Sequence, residues 1–203
     1  MKIKSICETS YEKMYKITPF EFPVFYIRQE YIFPIKIEEI TEDSEFDEDK
    51  TEILTDGGFC SAVEFKAVEY LARAEQSRFG LTQKLLKKSY QKKHIEKALN
   101  FLESKNLLSD ERFSRAWLNT RKVNHYEGKS KLILELCSRG ISKDVASFSV
   151  EEFFLENDEY EICKKSYQKF VKNGKTDDKL ISAMLNAGFS YKMIKSVCKD
   201  FED

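Results

Sequence analysis

The sequence predicts a mainly α-helical chain: three tandem three-helix repeats in a curved array, preceded by a small β-hairpin module. Three observations predict it. Only 3 Pro and 7 Gly punctuate 203 residues, too few for an all-β fold. Apolar residues recur at i, i+3, i+4 and i+7 through most of the chain after residue 58, the spacing of one buried helix stripe. One junction pattern also returns three times, about 50 residues apart.

The elements follow in chain order. In residues 1–37, β-branched and aromatic residues dominate Tyr15 to Ile17, Val24 to Ile27 and Tyr31 to Ile37, with Pro19, Pro23 and Pro34 between or within them. That is a hairpin or meander whose prolines keep it at sheet edges. Residues 38–58 read as an acidic linker, because Glu38 to Asp49 holds eight carboxylates and no base, and like charges this dense repel. Gly57-Gly58 closes it.

Repeat 1 spans 59–109, repeat 2 spans 110–157 and repeat 3 spans 158–203. Their first helices are expected over Ala62 to Gln76, Asp110 to Asn124 and Asp158 to Asn173, the last closed by Gly174. The recurring junction is Leu85, Ser89, Tyr90, Ile95; then Leu136, Gly140, Ile141, Val145; then Met184, Gly188, Phe189, Ile194. Each glycine, with Ser89 in its place in the first copy, sits where a helix ends in a left-handed cap. Ile95, Ala98, Leu99, Leu102 and Ile194, Val197, Cys198, Phe201 form buried stripes of the helices that follow. Ser77, Ser109 and Thr176 are candidate N-caps.

Composition narrows the function classes. With 41% apolar and 34% charged residues the chain is globular, and no apolar run approaches the length of a membrane span. The first residues lack a signal-peptide core, so the cytoplasm and no membrane are expected. The odd count of 5 cysteines, without a C-x-x-C pair, argues against a disulfide framework and a zinc knuckle. The net charge of −1 hides a division: residues 1–58 carry −7 and residues 59–203 carry +6.

His94 and His125 stand far apart with no ligand spacing around them, and read as surface residues; no metal and no cofactor are expected. Gly128-Lys129-Ser130 imitates the end of a phosphate-binding loop, but Val123 stands where the first glycine is needed. No catalytic residue is assigned. Tyr70, Phe101, Phe113, Trp117 and Phe170 fall on apolar stripes and are assigned to the core.

The basic residues offer the candidate binding surface. In repeat 1 these are Arg73, Arg78, Lys84, Lys87, Lys88, Lys92 and Lys93; in repeat 2, Arg112, Arg115, Arg121, Lys122, Lys129, Lys131 and Arg139. Either such a face is merely solvated, or two adjacent repeats carrying it form a stripe that attracts DNA phosphates or an acidic protein surface. The acidic run would then compete with those ligands from within the chain.

Ala67 to Arg78, Leu81 to Tyr90 and Ile95 to Phe113 resemble the first repeat and inter-repeat junction of the RecX family. Ala116-Trp117, Arg121, Gly128, Leu132, Glu135-Leu136 and Arg139-Gly140-Ile141 resemble its second repeat, and Lys179 to Phe201, with Ala187-Gly188-Phe189-Ser190-Tyr191 and Ile194, its third. Ser89 replaces the usual glycine, and the acidic stretch is longer than expected. The resemblance covers residues 60–203. It implies a non-enzymatic regulator, a monomer that lies in the groove of the RecA recombinase filament and restrains ATP hydrolysis, filament growth and strand exchange in recombination and repair. Single- or double-stranded DNA is a further expected partner; a free-standing DNA- or RNA-binding repeat protein is the alternative.

Overall fold

A computed structural model of the chain describes residues 1–122 and 125–202. Two compact units divide it, Met1–Leu108 and Ser109–Asp203. Nine α-helices and one three-stranded sheet occur among the described residues.

The first unit opens with an antiparallel meander, β1 (Ile3–Glu8), β2 (Tyr15–Pro19) and β3 (Phe25–Ile27), in that spatial order. Ile6 pairs with Ile17 and Lys16 with Tyr26. Ile3, Ile17 and Ile27 bury one face with Ile32, Ile35, Ile40, Phe46 and Leu54. β1 went unpredicted because lysine, serine and glutamate fill its exposed positions.

The strand expected over Tyr31 to Ile37 does not form. Two 3₁₀ turns stand there, Gln29–Tyr31 and Ile37–Glu39. Its buried side chains, Tyr31, Ile32 and Ile35, follow helical rather than alternating spacing. The Gln29 side chain donates to the Ile35 carbonyl and accepts from the Ile37 N–H, both at 2.8 Å, in place of ladder partners.

The acidic segment 38–58 is not a linker. Residues 43–46 run beside β1: Asp43 N–H donates to the Ile3 carbonyl at 2.9 Å and Ile3 N–H to the Ser44 carbonyl at 3.0 Å. Ile40 and Phe46 are buried, while the carboxylates of the run point outward. Apolar anchors at 40 and 46 thus hold the backbone in spite of the repulsion between their neighbours. Asp47 then accepts from Lys50 N–H at 2.8 Å and caps α1 (Glu48–Leu71), whose first-turn acids Glu48 and Asp49 complement the helix dipole.

α1 therefore begins fourteen residues before the helix expected from Ala62. Gly57-Gly58, read as a boundary, lies buried in the middle of α1. A Cβ on Gly57 would stand 2.6 Å from Ile32 Cγ2 and one on Gly58 2.9 Å from the Phe25 ring, so the glycines let the helix approach the meander. α1 packs with α2 (Arg78–Leu86) and α3 (Lys92–Ser104) around Val63, Ala67, Leu81, Leu85, Ile95, Leu99 and Leu102.

The second unit contains α4 (Asp110–Arg121), α5 (Lys129–Cys137) and α6 (Lys143–Glu156), then α7 (Glu159–Lys172), α8 (Asp177–Asn186) and α9 (Tyr191–Glu202). Each triplet has its own core, Leu118, Leu132, Leu136, Ile141, Ala146 and Val150 in one, Cys163, Leu180, Met184, Phe189, Ile194 and Val197 in the other. The expected end of α4, Val123 and Asn124, and the terminal Asp203 lie outside the described residues.

The three junctions share one geometry. Ser89, Gly140 and Gly188 have φ of 64°, 83° and 93°. In each, the next residue's N–H reaches back five positions, Tyr90 to Leu85, Ile141 to Leu136 and Phe189 to Met184, at 3.2–3.4 Å. These are Schellman caps, satisfying helix-end carbonyls before the chain turns. Ser77 and Ser109 cap as expected, accepting from Gly80 and Arg112 N–H at 3.0 and 3.3 Å. Thr176 occupies the N-cap of α8, but its side chain makes no cap hydrogen bond.

Candidate functional site

The basic residues singled out from the sequence reach the surface, but most are neutralised by neighbours. In the first unit Arg73 pairs with Glu69 at 2.6 Å, Arg78 with Glu103, Lys92 with Glu96 at 3.6 Å and Lys93 with Asp56 at 2.7 Å. Lys84 donates to Gln76 Oε1 at 2.6 Å and lies over Tyr70. Lys87 and Lys88 are exposed, with no ion pair among the described residues.

In the second unit Arg115 binds Glu152 at 3.0 Å, Lys129 binds Glu151 at 2.6 Å, and Lys131 and Arg139 share Glu135 at 3.2 and 2.7 Å. Both lysine and arginine, with burial opposing, hold the Glu135 carboxyl below its ordinary range; the Arg139 bond is the largest cause. Arg121 grips Glu127 with two nitrogens, and Arg121 and Arg139 lie over Trp117 at 5.3 and 4.7 Å. Trp117 is itself half-buried. Arg112 is half-buried on α4, and Lys122 is exposed without an ion pair among the described residues.

The carboxylates of the 38–49 run find other bases: Asp43 and Glu45 lie 3.6 and 3.7 Å from Lys2, and Glu39 lies 3.8 Å from Lys50. No ion pair joins this run to the basic residues of the repeats among the described residues.

His94 is not the surface residue expected. It is buried, its Nε2 lies 2.9 Å from Asp56 Oδ1, and its ring stacks on Phe59. Burial opposes ionisation of Asp56, but hydrogen bonds from Lys93 and His94 outweigh it and depress its pKa. A contact across 38 residues gives no local sequence signal. His125 is exposed, as expected.

Gly128 explains the phosphate-loop imitation. Its N–H donates to the Ala187 carbonyl at 2.8 Å, and Lys129 N–H faces Glu159 Oε1 at 3.4 Å, so protein acceptors occupy the start of α5. A Cβ on Gly128 would stand 2.5 Å from the Gly188 oxygen. The glycine serves contact between two backbones, not anion capture. No group of three or more His, Cys, Asp or Glu side chains suited to a metal occurs among the described residues, and no helix there is long and apolar enough to cross a membrane.

Two surface features went unpredicted. In the first unit an apolar groove of about 470 Å³ runs between β3 with its preceding loop and α1, lined by Phe22, Val24, Tyr26, Phe59, Ala62 and Phe65. Phe22, Val24 and Phe59 are 43–50% exposed there. Most of its residues come from two stretches, 22–26 and 55–65, distant in sequence, so neither announces it. In the second unit a hollow of about 380 Å³ gathers Tyr126, Lys131, Lys169, Phe170, Lys175 and Asn186. The spacing of Lys165, Lys169 and Lys172 along α7 was the available signal.

Fold and surface together define a class, an α-helical tandem-repeat protein whose first repeat is joined to a small β meander. No family model matches the chain. It is 32% identical over 136 residues to the regulatory protein RecX of Treponema pallidum, covering 67% of this chain and 83% of that one. With the regulatory protein RecX of Chlorobium limicola it shares 29% identity over 135 residues, 64% and 82% of the two chains. A crystal structure of a regulatory protein RecX superimposes with a TM-score of 0.76 at 16% identity over 98% of both chains. That of RecX from Lactobacillus salivarius gives 0.61 at 19% identity, over 71% of this chain and 97% of the other. The chain belongs to the RecX family.

Proposed function

We propose that the chain is a non-enzymatic regulator of the RecA recombinase, binding the groove of its nucleoprotein filament as a monomer and restraining ATP hydrolysis, filament growth and strand exchange. The observation that carries this reading is the 32% identity to a relative named a regulatory protein. Two structural features support it. Repeats with separate small cores present many modest surfaces instead of one deep site, and contacts of that kind accumulate along a polymeric partner. The apolar groove of the first unit is an exposed patch of the sort that marks protein contact. A molecule spanning neighbouring recombinase subunits opposes the rearrangement that hydrolysis requires.

The test is to add the protein to the cognate recombinase on single-stranded DNA and follow ATP hydrolysis and filament length. The expected result is a dose-dependent fall in both. Unchanged rate and length across a wide excess would overturn the reading.

A further inference from the structure

We propose that the apolar groove of the first unit takes an extended, lysine- or arginine-bearing peptide of a partner protein as a fourth strand on the open edge of β3. β3 is the outer strand of the sheet, and no further strand pairs with it among the described residues. Its hydrogen-bonding phase follows from the hairpin. Thr9 N–H donates to the Met14 carbonyl at 2.9 Å and Glu8 stands opposite Tyr15, so the backbone groups of Met14 and Lys16 turn to β1 and those of Tyr15 and Ile17 to β3. Tyr15 and Ile17 in turn stand opposite Ile27 and Phe25, which leaves the N–H and C=O of Tyr26 pointing out of the sheet. Such an edge is a template for another strand. The groove lies along it: Val24 and Tyr26 belong to one wall, and Thr55, Phe59, Ala62 and Phe65 of α1 to the other. A strand added there satisfies the backbone of Tyr26 and places alternate side chains among those apolar groups, so that main-chain bonds give affinity and side-chain contacts give selectivity.

Charge selects the occupant. Phe25 meets Gly58 and Arg28 binds Glu64, so β3 and α1 advance in the same sense. Glu21, just ahead of Phe22, therefore stands at the same end of the groove as Glu48 and Glu52, which precede Thr55 by two turns and one turn of α1. All three glutamates are exposed, and none has an ion pair among the described residues. Lys66, a base on the α1 side, is held by Glu69 at 2.5 Å. The groove is thus apolar along its length and negative at one end. It complements a strand whose apolar residues adjoin Lys or Arg, and repels one that carries carboxylates. A second copy of the chain fits poorly. A two-fold contact would set the same three carboxylates near their equivalents, and a three-residue edge falls far short of the roughly 800 Å² per partner that a stable interface buries.

This deepens, and rests on, the reading of the groove as a protein-contact surface, but it is tested on the full chain without recombinase. Fluorescence anisotropy would follow binding of a short labelled peptide in which valine alternates with threonine and lysines stand at one end, made in both chain directions. Replacing the lysines with glutamate should weaken binding roughly tenfold. Methylating alternate backbone nitrogens should weaken it roughly tenfold in one phase, the one facing β3, and little in the other. On the protein side, Ala62→Gln fills the groove from an exposed helix position and should weaken binding roughly tenfold with an unchanged urea midpoint. Glu48→Gln/Glu52→Gln should weaken it about threefold at low salt and not at high salt. Glu38→Gln/Glu42→Gln, an equal charge change that does not line the groove, should have no effect. The inference is overturned if the lysine peptide does not bind, if the glutamate peptide or both methylated peptides bind as well, if Ala62→Gln leaves binding unchanged, or if the chain sediments as a dimer that Ala62→Gln dissociates. Peptide binding with recombinase hydrolysis unchanged would sink the regulatory reading and leave this site standing; restrained hydrolysis without peptide binding would do the reverse.

Discussion

Glu64 is 4% exposed and accepts from three donors: Arg28 Nε and Nη2 reach its oxygens at 2.7–3.0 Å, and Tyr31 Oη donates at 2.8 Å. Arg28 also lies 4.7 Å from the centre of the Phe101 ring. The cluster fastens the end of the meander to α1 and α3. Truncating a buried ion pair leaves the other charge without compensation, so Glu64→Ala should lower unfolding free energy by about 3 kcal/mol in urea titration. Tyr31 adds a pH dependence. Burial first, then the charge and hydrogen bond of Glu64, push its pKa well above the ordinary 10.0. The folded state thus prefers the protonated phenol, and its contribution is complete below pH 10 and declines as pH climbs beyond that. Tyr31→Phe should flatten the alkaline loss of stability, and an equal loss in both proteins would refute the assignment.

The caps show what a sequence makes legible at the scale of an element. Ser89 could be aligned with Gly140 and Gly188 from spacing alone, because a left-handed cap is a local event written in a few adjacent residues. α1 could not be placed, because its first half is acidic and its glycines answer to Ile32 and Phe25, distant in sequence. His94 and the apolar groove were hidden for the same reason: their partners lie tens of residues away. Of the ion pairs that quench the basic stripe, Arg78–Glu103, Lys93–Asp56, Arg115–Glu152 and Lys129–Glu151 join different helices and were hidden likewise, whereas Arg73–Glu69, Lys92–Glu96, Lys131–Glu135 and Arg139–Glu135 stand four residues apart and were legible. The caps also yield a prediction of opposite signs. Ser89 holds φ at 64°, a region costly to residues with a Cβ, so Ser89→Gly should stabilise by about 0.5–1 kcal/mol. Gly188→Ala meets both a φ of 93° and the Lys131 backbone, and should destabilise by about 3 kcal/mol. Denaturant midpoints of the two variants should move in opposite directions.

Across the whole molecule, the division of charge at residue 58 is not a division between units. The first unit holds 17 basic and 19 acidic residues and the second 17 and 16, because the acidic run and the basic first repeat fold together. Composition read along the chain exposed the asymmetry, but only the fold shows that the acids cover a meander of which residues 40 and 46 are part of the core. Two ways of removing the negative charge should therefore differ. Deleting Glu38 to Asp49 takes away Ile40, Phe46 and the Asp47 cap, and should destabilise the first unit by several kcal/mol, on the order of two buried large side chains and a helix cap. Replacing exposed Glu42, Glu48 and Asp49 with Gln, Gln and Asn leaves those contacts in place and should shift stability by no more than about 0.5 kcal/mol per site. Calorimetry on the two proteins separates the outcomes. If the deletion melts like wild type, the run is a linker after all and its hydrophobic anchors contribute nothing.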